Sequence, residues 1–241
     1  MNSLDPAEKL ILALDGMNEG EVFSLLAELP DLIWVKVGLE LFTMCGPGII
    51  QRLRNQGKRV FLDLKFHDIP TTMSHACYQA ARSQAEILTV HACSGEDAMK
   101  QANQAAKQGA FEVGMPPPTV LAVTVLTSWT SEKLASDLHI SQPIELRVRK
   151  LAKLAFKAGV GGCVCSPLEV KDLRIDIPEP FQLVTPGIRF PESSRDDQMR
   201  VLSPLEALGA GASKLVLGRI LTKSQTPKED FYRICSQLRK Y

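Results

Sequence analysis

The sequence has almost no net charge: 28 Lys and Arg face 27 Asp and Glu over 241 residues, a formal +1. No global field draws such a chain to nucleic acid or to an anionic membrane, so any anion site has to be local. Long apolar runs are missing too, and nothing approaches the ~20 apolar residues of a membrane helix. The opening MNSLDPAEKLILALD lacks a basic segment and its apolar run stops at Asp15, which predicts no secretory signal. The six cysteines (Cys45, Cys77, Cys93, Cys163, Cys165, Cys235) form neither a dense framework nor a CxxC pair, as expected of reduced thiols in a cytoplasmic protein. The four histidines (His67, His75, His91, His139) show no HExxH spacing, so zinc hydrolysis finds no support. GxGxxG is absent after the first apolar run, against an open dinucleotide-binding sheet.

What is present is a repeated alternation. With 45% hydrophobic residues the chain is long enough to bury a core without disulfides or structural metals. Eight short apolar, β-branched runs recur: LILALD (10–15), IWVKVG (33–38), VFLDLK (60–65), ILTVHA (87–92), VLAVTVL (120–126), GGCVCS (161–166), QLVTPGI (182–188) and KLVLGR (214–219). Segments of helical period separate them, including TTMSHACYQAARSQ and IELRVRKLAKLAFKAG. Eight βα units with no linker or break in composition predict one α/β domain over residues 1–241, a closed (β/α)8 TIM barrel. MPPPT at 115–119 reads as a stiff loop leading into the fifth strand. The basic stretch RVRKLAKLAFK reads as an outer barrel helix rather than a membrane-surface helix.

Barrel enzymes keep their active sites at the C-terminal ends of the strands, and polar residues gather at those ends here. Asp15 ends the first run, Lys36 lies in the second, Asp63 and Lys65 end the third, and His91 lies near the end of the fourth. Thr127 and Ser128 follow the fifth. Strand alternation points Asp63 and Lys65 to one side, with Asp68 in the turn before a helix whose first turn accepts Pro70. An ammonium flanked by two carboxylates is a poised proton donor beside fixed negative charge. On spacing alone a surface ion pair remains as good a reading; the position at the barrel end favours catalysis. After the seventh run comes GIRFPESSRDDQ, longer than the usual connection of about two to six residues, and loops of this kind act as lids. Arg189, Gln198, Gly218 and Arg219 form a candidate phosphate grip, because barrels bind phosphate between the loops after strands seven and eight. The competing reading pairs the arginines with Glu192 or Asp196 at the surface. Cys163 and Cys165, two residues apart, read as buried core thiols, and Trp34 and Trp129 as core and rim residues.

In order along the chain, LALD, DLKFHDIPTT, VTVLTS, LVTPGIR and LVLGR resemble the orotidine 5′-phosphate decarboxylase family. The resemblance covers nearly the whole chain. It implies conversion of orotidine 5′-phosphate to UMP and CO2 in pyrimidine biosynthesis, without metal or organic cofactor. It also implies a homodimer with shared active sites. Lys65 would give the proton to C6, beside Asp63, Lys36 and the Asp68 of the partner subunit. Asp15, Lys36 and Thr72 would hold the ribose, Thr72 reaching across from the partner, while Thr127 and Ser128 border the pyrimidine. Arg189, Gln198, Gly218 and Arg219 would hold the phosphate. GIRF stands where the family more often has GIRP, a departure that touches local packing only. Two alternatives compete: a magnesium-dependent sugar-phosphate decarboxylase of the same barrel superfamily, in which the carboxylates would be metal ligands, and a non-catalytic UMP-binding barrel. The former resembles DxKxxDxG, and this chain has Ile69-Pro70 at the discriminating place.

Overall fold

The computed structural model describes residues 5–188 and 202–239. Eight parallel strands, β1 (Leu10–Ala13), β2 (Trp34–Gly38), β3 (Arg59–Phe66), β4 (Ile87–His91), β5 (Thr119–Val123), β6 (Gly162–Val164), β7 (Gln182–Thr185) and β8 (Lys214–Leu217), pair in sequence order. β1 also pairs with β8, which closes the barrel. All eight expected runs form strands, but most strands stop short of the polar residues that end each run. Backbone there turns away to carry loops, which is why the mouth of the barrel is polar.

The described helices are α1 (Glu19–Glu28), α2 (Leu39–Cys45), α3 (Gly48–Asn55), α4 (Pro70–Arg82), α5 (Glu96–Glu112), α6 (Ser131–Leu138), α7 (Ile144–Lys157), α8 (Val170–Asp176), α9 (Pro204–Gly209), α10 (Arg219–Thr222) and α11 (Pro227–Leu238). Their starts are written locally. Asn18 and Glu21 exchange side-chain and backbone bonds at the head of α1, and Ser203 and Glu206 do the same for α9. Pro70 occupies the first helical position of α4, where its missing N–H has no partner to lose. None of the described helices is long and apolar enough to cross a membrane.

Alternation along the strands divides the core in two. Outward residues such as Leu12, Val35, Leu62, Leu88 and Cys163 pack beneath the helices, together with Cys165. Inward residues Ile11, Trp34, Phe61, Ile87, Leu121, Val184 and Val216 fill the lumen. Trp34 sits near the N-terminal end, its indole N–H donating to Glu8 at 2.8 Å. The Arg59 guanidinium lies 4.1 Å from the ring centroid and the Lys214 ammonium 4.5 Å, both within cation–π range. Burial lowers the pKa of Lys214 to about 8 although Glu8 opposes the shift.

Candidate active site

At the opposite, C-terminal end the lumen opens into a cavity of about 520 Å³. Asp15, Lys36, Asp63, Lys65, Thr127, Gly218 and Arg219 all line it, drawn from five of the eight βα units. Val123, Val125 and Val164 supply an apolar wall, as a small-molecule site requires beside its few polar groups.

Four charged groups of alternating sign form a chain across β1, β2 and β3. Lys36 donates to both oxygens of Asp15 at 3.0 and 2.9 Å. It also lies 3.4 Å from Asp63 Oδ2, and Lys65 Nζ donates to that same oxygen at 2.8 Å. Asp63 and Lys36 are only 7% and 8% exposed, so these charges interact through protein rather than bulk water. Burial disfavours the charge on Lys36, but the carboxylates of Asp63 and Asp15 outweigh it and raise its pKa. Burial likewise disfavours the Asp63 carboxylate, and there Lys36, Lys65 and the hydrogen bonds from Lys65 and Thr89 prevail, holding its pKa below the ordinary range. The surface-ion-pair reading of Asp63 and Lys65 therefore fails on burial.

Two residues that complete this arrangement were not singled out from the sequence. Gly38 ends β2 beside the Asp15–Lys36 pair; a Cβ there would lie 2.5 Å from Asp15 Oδ1 and 3.1 Å from Lys36 Nζ. Only a residue without a side chain leaves that pair undisturbed. Thr89, fully buried on β4, donates its hydroxyl to Asp63 Oδ1 and accepts the Lys65 N–H, each at 2.9 Å. Its position was readable: it shares the inward parity of Ile87 and His91. Lys65 itself has φ +51°, a left-handed conformation that costs a non-glycine residue roughly 1–2 kcal/mol.

Other expected residues are placed differently. Asp68 and Thr72 are exposed at the start of α4 and do not line the cavity, and neither does exposed Ser128. Asp68 accepts the N–H of Ile69 at 2.7 Å, while within this chain the Lys65 ammonium pairs with Asp63. Arg189, Gln198 and most of the expected lid at 188–198 lie outside the described residues; Ile188 and Leu202, which flank that segment, form an isolated parallel bridge. A Cβ at Gly218 would meet no protein atom within 4 Å, so the missing side chain leaves room for a ligand rather than relieving a clash. The rings of His67 and His91 lie 5.4 Å apart, tilted by 44°, beside the array. Burial, then the neighbouring His67 and Lys65 charges, lower the His91 pKa and favour a neutral ring. Among the described residues no three His, Cys, Asp or Glu side chains converge as metal ligands.

Similarity to known proteins follows the same residues. The model of the orotidine 5′-phosphate decarboxylase / HUMPS family matches residues 8–234. An orotidine 5′-phosphate decarboxylase of Prochlorococcus marinus is 61% identical over 98% of both chains. Another, from Parasynechococcus marenigrum, is 55% identical over 97% of this chain and 95% of its own. A crystal structure of orotidine 5′-phosphate decarboxylase from Lactobacillus acidophilus superposes with a TM-score of 0.83 at 36% identity, covering 96% of this chain and 99% of that one. The matched span takes in every strand of the barrel and all four members of the charged array: the chain belongs to the orotidine 5′-phosphate decarboxylase / HUMPS family.

Proposed function

We propose that this protein decarboxylates orotidine 5′-phosphate to UMP in pyrimidine biosynthesis, without metal or organic cofactor, in the cytoplasm. The observation that carries the reading is the Lys36–Asp63–Lys65 array, with Lys36 and Asp63 buried and Lys65 partly exposed, on the wall of a nucleotide-sized cavity. Loss of CO2 breaks the bond from C6 to the carboxylate carbon and leaves the electron pair on C6. That carbanion has no delocalised sink, so its stabilisation has to come from charge already in place. The Lys65 ammonium supplies that charge and then transfers a proton to C6, and solvent later restores the proton. Asp63 anchors the ammonium through a 2.8 Å hydrogen bond.

Asp15 and Lys36 are suited to the ribose hydroxyls, one as acceptor and the other as donor. Thr127 borders the pyrimidine, with Ser128 beside it on the same loop. At the far wall Gly218 leaves space and Arg219 offers a planar fork of donors for phosphate; Arg189 and Gln198 are assigned to the same grip from the sequence. Binding energy from the phosphate then supports the demanding step at C6.

The exposed Asp68 and Thr72 fit a homodimer in which each serves the partner's cavity, since neither lines its own. A magnesium-dependent sugar-phosphate decarboxylase would require Asp63 as a metal ligand. Here one of its oxygens accepts from Thr89 and the other faces two ammonium groups, an unfavourable setting for a dication. The test is consumption of orotidine 5′-phosphate followed by ultraviolet absorbance, with and without EDTA. Turnover insensitive to EDTA is expected. Loss of turnover with EDTA would overturn the cofactor-free mechanism, and UMP binding without turnover would make the barrel a sensor.

A further inference from the structure

The ladder between β3 and β4 breaks beside the charged array. Phe61 pairs with Ile87 and Leu62 with Leu88, but the next matched pair is Phe66 with Val90. Three β3 residues, Asp63, Leu64 and Lys65, therefore stand opposite Thr89 alone. Such a bulge leaves backbone groups without their ladder partners and re-aims side chains. At its end Lys65 takes its left-handed φ of +51°.

One hydroxyl spans the break. Thr89 Oγ1 accepts the Lys65 N–H at 2.9 Å and donates to Asp63 Oδ1 at 2.9 Å. With Oδ1 held there, Oδ2 faces Lys65 Nζ at 2.8 Å and Lys36 Nζ at 3.4 Å. Thr89 is fully buried, so water does not stand in for it. It needs both capacities of a hydroxyl, donor and acceptor, which an apolar residue of the same shape lacks.

We propose that Thr89 is a positioning residue for the reaction: its hydroxyl braces the bulged backbone of Lys65 and orients Asp63, so that the ammonium is held where C6 must receive its proton. It touches no substrate atom and acts through these two residues. This inference rests on the decarboxylase reading above.

Kinetics of the wild type, Thr89→Val, Thr89→Cys and Thr89→Ser with orotidine 5′-phosphate test it. Thr89→Val keeps the shape and removes the hydroxyl; kcat is expected to fall on the order of 10- to 100-fold, the scale of a small misplacement of a reacting group. KM should stay within about threefold, because Thr89 lies outside the parts of the site that bind phosphate and ribose. Thr89→Cys offers only a weak donor and acceptor and should behave like Thr89→Val, which keeps the test available if the valine variant does not fold. Thr89→Ser should recover most of the lost kcat. The acid limb of the kcat–pH profile should move upward in Thr89→Val and Thr89→Cys and return in Thr89→Ser, since Asp63 loses a bond that favours its charged form. An active wild type whose valine and cysteine variants keep full kcat overturns the assignment alone. Equal losses in the serine variant would do the same, because they report packing rather than the hydroxyl. A wild type that does not consume orotidine 5′-phosphate overturns the decarboxylase reading together with this inference.

Discussion

Gly38→Ala separates function from stability at a single atom. Gly38 has φ −89° and ψ −178°, an extended backbone that alanine adopts without strain. The added methyl would lie 2.5 Å from Asp15 Oδ1, too close for any real contact, so the Asp15 side chain has to move. It has somewhere to go, because it is 52% exposed. Lys36 keeps its second carboxylate, Asp63, at 3.4 Å. The loss of folding stability should therefore be about 1 kcal/mol, as for a pair with one exposed partner, lowering Tm by roughly 2–4 °C. Catalysis should suffer more. On the proposed role, Asp15 accepts a charge-assisted hydrogen bond from a ribose hydroxyl, worth roughly 1.5–3 kcal/mol, which in kcat/KM is about 10- to 150-fold. Absorbance kinetics and a thermal melt read the two quantities separately. In an Asp15→Ala background the glycine substitution should add almost nothing, because both act on one contact. A kcat/KM within twofold of wild type would refute the role given to Asp15; a Tm loss beyond about 10 °C would show that Gly38 serves core packing instead.

Three further expectations rest on separate observations. Subunits carrying Lys65→Ala and subunits carrying Asp68→Ala should each be inactive, yet regain part of the activity when mixed; silence despite demonstrated subunit exchange would remove Asp68 from the partner's site. Lys58 is 6% exposed and donates to the carbonyls of Leu29, Pro30 and Leu32 at 3.1, 3.1 and 2.7 Å, tying the turn between α1 and β2. Lys58→Met should cost about 2–4 kcal/mol by denaturant titration with kcat little changed, and an unshifted midpoint would contradict that tie. The depressed Asp63 pKa contributes stability that is complete above its unfolded value near ~4 and is lost as pH falls through the folded value. The raised Lys36 pKa contributes below ~10.4 and fades as pH rises through its folded value. The stability gap between wild type and Asp63→Asn should thus be flat from about pH 5 to 9 and shrink below about pH 4; shrinkage between pH 7 and 5 would mean that Asp63 titrates in the ordinary range or above it.

Much of this was legible because it depends on period and order. Alternation alone put Asp63 and Lys65 on one face, and the spacing of eight apolar runs is enough to close a barrel. Asp15 and Lys36 were readable as mouth residues, although not that they share one ion pair. What escaped depends on contacts between distant segments. Gly38 looks like any strand-ending glycine until Asp15, 23 positions earlier, folds against it. The bulge at Lys65 follows from β3 and β4 falling out of register, which neither strand shows by itself. Thr89 carries the inward parity of Ile87 and His91, but its two hydrogen bonds depend on where β3 bulges.

Among the described residues, the apolar side chains beneath the array close the lumen below the cavity. Ile11, Trp34, Phe61, Ile87, Leu121, Val184 and Val216 are each at most 7% exposed and fill the lumen toward its N-terminal end. On the proposed mechanism, substrate entry, CO2 escape and the return of a proton to Lys65 would share the C-terminal mouth. On the same reading, product phosphate holding the nucleotide in that mouth would restrict the traffic of the other two. The order in which gas, proton and nucleotide pass is then part of the turnover cycle, set by the floor as much as by the charged groups above it.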